Sequence, residues 1–114
     1  MEIVNIGTDI EEVSRFEGLD KKALERLFTP QEIAYCTSKK NAAQHFAVRY
    51  SAKEAVFKAL PFAEIAFKNI EITNTKDGAP QVKVNDARAA GLQFKISLSH
   101  TDNLAQATVL IYKK

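Results

Sequence analysis

Ile3, Val4 and Ile6 form a short apolar run with strand character that closes at Gly7, and from Thr8 to Val13 the spacing turns helical, which puts Asp9 at a strand-to-helix junction. Apolar positions at Val13, Phe16, Leu19, Leu24, Leu27 and Phe28 predict two short helical pieces, broken near Gly18 and restarted with Asp20 as the cap. Thr29-Pro30-Gln31-Glu32 combines a capping hydroxyl, a first-turn proline and a capping-box glutamate, so a third short helix should run towards Cys36. After the polar loop 37–41, no glycine or proline interrupts the chain from about Ala42 until Pro61, and this stretch is the strongest helix in the sequence. Ile65, Phe67, Ile70 and Ile72 then recur with strand character, Lys76-Asp77-Gly78 supplies a turn, and Val82 and Val84 start the returning strand. A short helical turn at 86–90 precedes two further alternating runs, Phe94-Ile96-Leu98 and Ala105-Ala107-Val109-Ile111, joined by a turn at His100-Thr101-Asp102-Asn103.

About five strands, one long helix and three shorter ones, with helices mostly early and strands mostly late, predict an α+β fold in which an antiparallel sheet packs on the long helix. A chain of 114 residues fits a single domain spanning 1–114, whose small core makes self-association a natural way to bury more apolar surface. On a wheel of about 100° per residue the long helix has no clean polar face. Phe46, Tyr50, Val56, Phe57 and Leu60 form its main apolar arc, yet Arg49 and Lys53 fall inside that arc and Glu54 at its edge. Charges placed so must be neutralised by protein, metal or ligand, because unpaired buried charge costs several kcal/mol.

Charge and cysteine usage narrow the function classes. A formal net charge of +2 is too small for an obligate nucleic-acid binder, though it leaves room for a basic patch facing an acidic partner. No stretch approaches the roughly 20 apolar residues that cross a bilayer. Met1 runs directly into an alternating segment without a leader, and the one cysteine, Cys36, has no partner, so a reducing, cytoplasmic setting is expected.

Read locally, Glu54 and Lys58 are an i,i+4 surface pair, Asp9 is a helix cap, and Arg15 is an exposed partner of Glu11 or Glu12. His100 reads as a turn histidine, and His45 and Cys36 read as structural. The combination says more. Ile6-Gly7-Thr8-Asp9-Ile10, Arg15, the central run Arg49-Tyr50-Ser51-Ala52-Lys53-Glu54-Ala55-Val56-Phe57-Lys58-Ala59, and Ser97-Leu98-Ser99-His100-Thr101 resemble, in order and spacing, the holo-acyl-carrier-protein synthase family over nearly the whole chain. Gly78-Ala79-Pro80 is similar to that family's Gly-x-Pro hairpin.

The resemblance implies transfer of 4′-phosphopantetheine from coenzyme A to a serine of an acyl carrier protein by a homotrimer with interfacial active sites. It further implies Mg²⁺ held by Asp9 and Glu54, which suits a hard cation that completes its octahedron with water and phosphate oxygens. Lys58 would hold a phosphate oxygen, with Glu54 or a water acidified by the cation as the base. Arg49, His100 and the loop lysines Lys39 and Lys40 are the remaining phosphate candidates, and Arg15 would meet acidic side chains of the carrier. One departure stands out: where the family has a glycine-rich turn, this chain reads Ala59-Leu60-Pro61-Phe62-Ala63-Glu64. That leaves a coenzyme A-binding module without transfer as the rival reading.

Overall fold

A computed structural model describes residues 1–114. Strand β1 (Glu2–Glu12) is followed by a 3₁₀ turn (Val13–Phe16), helices α1 (Lys21–Leu27), α2 (Pro30–Thr37) and α3 (Ala42–Ala59), the hairpin β2 (Ile70–Asn74) and β3 (Pro80–Val84), and strands β4 (Gln93–His100) and β5 (Leu104–Lys113). Further 3₁₀ turns lie at Phe67–Asn69 and Ala87–Ala89. The helix signals act as expected. Asp20 accepts from the Ala23 amide, the capping box Thr29–Glu32 is complete, and α3 ends just before Pro61. No helix is long and apolar enough to cross a membrane.

The first strand differs from the sequence reading. It does not end at Gly7 but pairs antiparallel with β5 from Glu2↔Lys113 to Glu12↔Leu104, so Asp9 sits inside a strand opposite Ala107 and not at a helix junction. The apolar residues at 10 and 13 are three apart, a helical spacing, but pairing with β5 makes the segment up to Glu12 a strand. Gly7 is there for closeness. A Cβ at this position would collide with the Ala55 carbonyl oxygen and meet the Ala59 side chain at 2.9 Å, so only glycine lets β1 lie directly on α3. His100 closes β4 opposite Ala105 and so belongs to a strand, with the turn confined to 101–103. Ile65 and Phe67 precede β2 rather than belonging to it.

The sheet β1-β5-β4 and the separate hairpin β2-β3 pack on α3, confirming the α+β arrangement, with the antiparallel strands divided between two sheets. One core gathers Ala52, Val56, Ile70, Ile72, Val109 and Ile111; a second, more aromatic one holds Phe16, Phe28, Phe46 and Tyr50. Ile6 and Ile10 stay about 60% exposed on the outer face of β1, on the side away from α3.

Candidate functional site

Because β1 continues past Gly7, Asp9 and Glu11 project from the same face of the strand towards α3, two residues apart. The Ser51 hydroxyl donates to the Asp9 carbonyl oxygen at 3.0 Å, fixing the strand against the helix at this point. On α3 the side chains of Ser51, Glu54 and Lys58 share a face at i, i+3, i+7 spacing. Lys58 Nζ lies 3.6 Å from Asp9 Oδ1, and its side chain is half exposed. Asp9 Oδ2 is buried with no hydrogen-bond partner.

Glu11 completes this group and was not singled out by the sequence except as a partner for Arg15. That ion pair forms, with Arg15 Nη1 2.7 Å from Glu11 Oε1. Burial, then the neighbouring Asp9 carboxylate, push the Glu11 carboxyl up to about 7 against the pull of Arg15. The Arg15 guanidinium also stacks 4.9 Å from the Tyr50 ring centroid, and the Tyr50 hydroxyl donates to Glu54 Oε1 at 3.3 Å. Burial and the Glu54 charge raise the Tyr50 hydroxyl above its ordinary value. A continuous set therefore runs from Lys58 through Asp9, Glu11, Arg15 and Tyr50 to Glu54. The signal for Glu11 was strand alternation, which becomes visible only once β1 is extended.

Arg49 lies elsewhere. Its guanidinium donates to the Ile72 carbonyl at 2.8 Å and to Asn74 Oδ1 at 2.5 Å, both neutral acceptors on β2. It lines a cleft of about 150 Å³ together with Tyr35, His45, Val48, Leu98 and His100. Lys39 reaches this neighbourhood by stacking 4.7 Å from the Tyr35 ring, whereas Lys40 enters no hydrogen bond, ion pair or cation–π contact. The largest cavity, about 710 Å³ between β3 and β4 above Ala89 and Leu92, touches neither group.

Residues 5–109 match the family model of the 4′-phosphopantetheinyl transferase superfamily. The chain belongs to that superfamily. It is 40% identical to the holo-[acyl-carrier-protein] synthase of Geotalea daltonii, over 97% of this chain and 99% of the relative. Among solved structures it is similar to a holo-(acyl-carrier-protein) synthase of Bacillus anthracis in complex with CoA (3′,5′-ADP), with TM-score 0.87 and 30% identity over the full length of both chains. The Helicobacter pylori holo-[acyl-carrier-protein] synthase in complex with coenzyme A gives TM-score 0.81 and 29% identity, over 93% of this chain and 98% of that one.

In this phosphopantetheinyl transferase superfamily member the turn after α3 lacks glycine, and the structure shows how the backbone copes. Glu64 takes the left-handed conformation, φ 62°, that glycine adopts freely. Arg88 braces the segment, with its guanidinium 4.2 Å from the Phe62 ring centroid and donating to the Ala63 carbonyl at 3.1 Å. The two polar groups lie on different sides of α3. Nine residues separate Arg49 from Lys58, about 13 Å of rise and about half a turn of rotation in excess of whole turns.

Proposed function

We propose that this protein transfers the 4′-phosphopantetheine arm of coenzyme A to a serine hydroxyl of an apo-acyl carrier protein, releasing adenosine 3′,5′-bisphosphate. The observation that carries this reading is the buried, unpartnered Asp9 Oδ2 beside Glu11 and Lys58, in a chain of this superfamily with full-length likeness to coenzyme A-bound synthases. A carboxylate oxygen left without a donor in a partly buried site is an acceptor awaiting a cation. Asp9 and Glu54 supply the hard oxygens that Mg²⁺ prefers, and substrate phosphate oxygens would complete its shell. Bound there, the ion would supply neutralisation of the diphosphate charge as the bridging bond breaks.

The chain's own residues do the rest. Lys58 is exposed enough to leave Asp9 and take a phosphate oxygen as a point charge. Tyr50 holds the Glu54 carboxylate in place through its hydroxyl. Arg49 and His100 are the groups that would take the more remote phosphate of coenzyme A, with Lys39, rather than Lys40, the loop lysine nearest to them.

The Arg49 and Lys58 groups of one chain face different sides of α3, so a single coenzyme A would have to wrap around the helix to meet both. A site shared between copies resolves this. The exposed Ile6, Ile10 and Leu104 on the face of the sheet away from α3 are apolar surface suited to such contact, and a homotrimer with interfacial sites fits both features. A sedimentation mass of one chain at working concentration would exclude it.

Incubation with coenzyme A, Mg²⁺ and an apo-carrier tests the activity: the carrier should gain the mass of one phosphopantetheine. Coenzyme A binding without that gain would favour the binding-module alternative that the missing glycines raise. Arg15 is 57% exposed and carries the docking part of the proposal. The Arg15→Glu protein is expected to show at least a tenfold higher KM for the carrier, as loss of a charged contact implies, with KM for coenzyme A little changed. Equal rises in both constants would count against docking, since Arg15 also braces Glu11 and Tyr50.

A further inference from the structure

We infer that Arg88 is a positioning residue for the transfer reaction: from the connection between β3 and β4 it clamps the segment Pro61–Glu64, and so holds the last turn of α3, which carries Lys58, where the coenzyme diphosphate is received. The inference rests on the proposed role of Lys58 and adds a residue that neither the sequence motifs nor the resemblance singled out.

Lys58 is the last residue but one of α3, so the way the chain leaves the helix decides how firmly it is held. The exit itself supplies little. Leu60 is extended, the conformation that a following proline favours, and its amide closes the helix on the Val56 carbonyl at 2.9 Å. From Pro61 to Ile65 no backbone group enters a backbone hydrogen bond. Glu64 sits at φ 62°, which is unfavourable for a residue with a Cβ, and its side chain is exposed. A segment both strained and unpaired lets a helix end fray.

Arg88 supplies what is missing. Its Nη1 donates to the Ala63 carbonyl at 3.1 Å and its guanidinium lies 4.2 Å from the Phe62 ring centroid, so one planar group grips two consecutive residues of the segment. The guanidinium is itself fixed from behind. Nε and Nη2 donate to the two oxygens of Asp86 at 3.0 and 2.8 Å, and Asp86 also caps the 3₁₀ turn by accepting from the Arg88 amide at 2.9 Å. These hydrogen bonds hold the Asp86 carboxyl well below the usual carboxylate range, so the fork stays charged at any working pH. Ala89, next in the turn, is buried in the core that Ala59 and Leu60 share and that Phe62 packs against. From the other side Asn5 Nδ2 of β1 donates to the Ala59 carbonyl at 3.2 Å. The end of α3 is thus tied to β1 directly and to the β3–β4 connection through Phe62 and Ala63. Geometry rather than charge makes the clamp, because a lysine at 88 would lack the planar fork that reaches Asp86 and Ala63 together.

The test compares Arg88→Ala and Arg88→Lys with the unaltered protein in transfer assays that vary coenzyme A and the carrier separately, with hydrogen exchange of the Lys58, Ala59 and Leu60 amides as a second readout. Both variants should lose about tenfold in kcat/KM for coenzyme A, inside the roughly 10²-fold that a misplacement of about 1 Å can cost. KM for the carrier should stay nearly unchanged, and the three amides should exchange faster. Glu64→Gly added to Arg88→Ala should restore part of the loss, because glycine takes the left-handed conformation without strain and the segment then needs less holding. An Arg88→Lys protein with full kcat/KM for coenzyme A would make Arg88 a source of charge alone and overturn the inference. Equal changes in the constants for coenzyme A and carrier would mark a general loosening of the fold and overturn it too, as would a double variant that recovers nothing. No transfer by the unaltered protein would instead remove the transferase reading on which the inference stands.

Discussion

Asp9→Ala is expected to lower phosphopantetheine transfer by more than about 100-fold, and Glu54→Ala to do the same, the magnitude typical of removing one group that stabilises transition-state charge. The fold should not suffer. Asp9 gives up only an ion pair to the half-exposed Lys58 at 3.6 Å, a contact worth about 0–1 kcal/mol, and its orphaned Oδ2 has no partner to lose. Its removal also relieves Glu11 of a neighbouring like charge. The melting temperature of the Asp9→Ala protein should therefore hold or rise, which separates this loss of activity from a loss of structure. Glu11 gives a second readout in metal-free buffer. Its carboxyl titrates at about 7 in the folded protein against 4.5 in the unfolded chain, so between those values the native state keeps a proton that the unfolded state has released. Stability from this group is complete below about pH 4.5 and is lost as pH rises towards 7. Asp9→Ala removes Asp9's share of the shift and leaves that of burial, so the variant should lose less over the same range. Near-normal transfer in both variants would defeat the metal-site proposal, and a marked drop in the melting temperature of Asp9→Ala would show that its carboxylate is structural.

The reading of β1 shows where sequence patterns stop. Gly7 looked like a terminator because glycine more often ends elements than lies within them, but its role is close approach to the Ala55 carbonyl, a contact between residues far apart in the chain. With the strand cut short, Asp9 and Glu11 could not be seen to share a face, and Glu11 went unnoticed as a member of the carboxylate group. Asp9, Glu54 and Lys58 were legible because helical spacing and motif order are local properties of the sequence. Arg49 was only half legible. Its place inside an apolar arc announced that it needed partners, but nothing local indicated that these would be the Ile72 carbonyl and Asn74 on β2. The late strands and the hairpin were recovered well because alternation and turn chemistry coincide there, with Gly78 at φ 88° where the turn requires a positive angle.

Lys53, which directly precedes Glu54 in the motif, is expected to matter for a different reason: Lys53→Met should cost about 3–5 kcal/mol of stability, the range for stranding one partner of a buried ion pair, and lower Tm by more than about 10 °C. Its Nζ lies 2.6 Å from Glu32 Oε1, with the two side chains 0% and 1% exposed, so it is walled off from any substrate. The same carboxylate accepts from the Thr29 amide at 2.8 Å and the Ile72 amide at 2.8 Å, tying the start of α2, the middle of α3 and strand β2 to one group. Burial lowers the proton affinity of Lys53, and the Glu32 charge opposes that change. Without the ammonium, Glu32 must take up a proton or remain an uncompensated charge, and either change weakens the three-way tie. A Lys53→Met/Glu32→Gln protein should recover about half of the loss, because the amide oxygen can still accept one of the backbone donors and no charge is left buried. Activity should follow stability. In the proposed site α3 would carry Arg49 towards one phosphate group and Glu54 and Lys58 towards the other, so a helix loosened at Lys53 would misplace both halves at once. A Lys53→Met protein no less stable than an ordinary surface variant, within about 0.5 kcal/mol, would mean that the pair does not hold the helix, and a severe loss of transfer in that stable protein would return Lys53 to the chemistry.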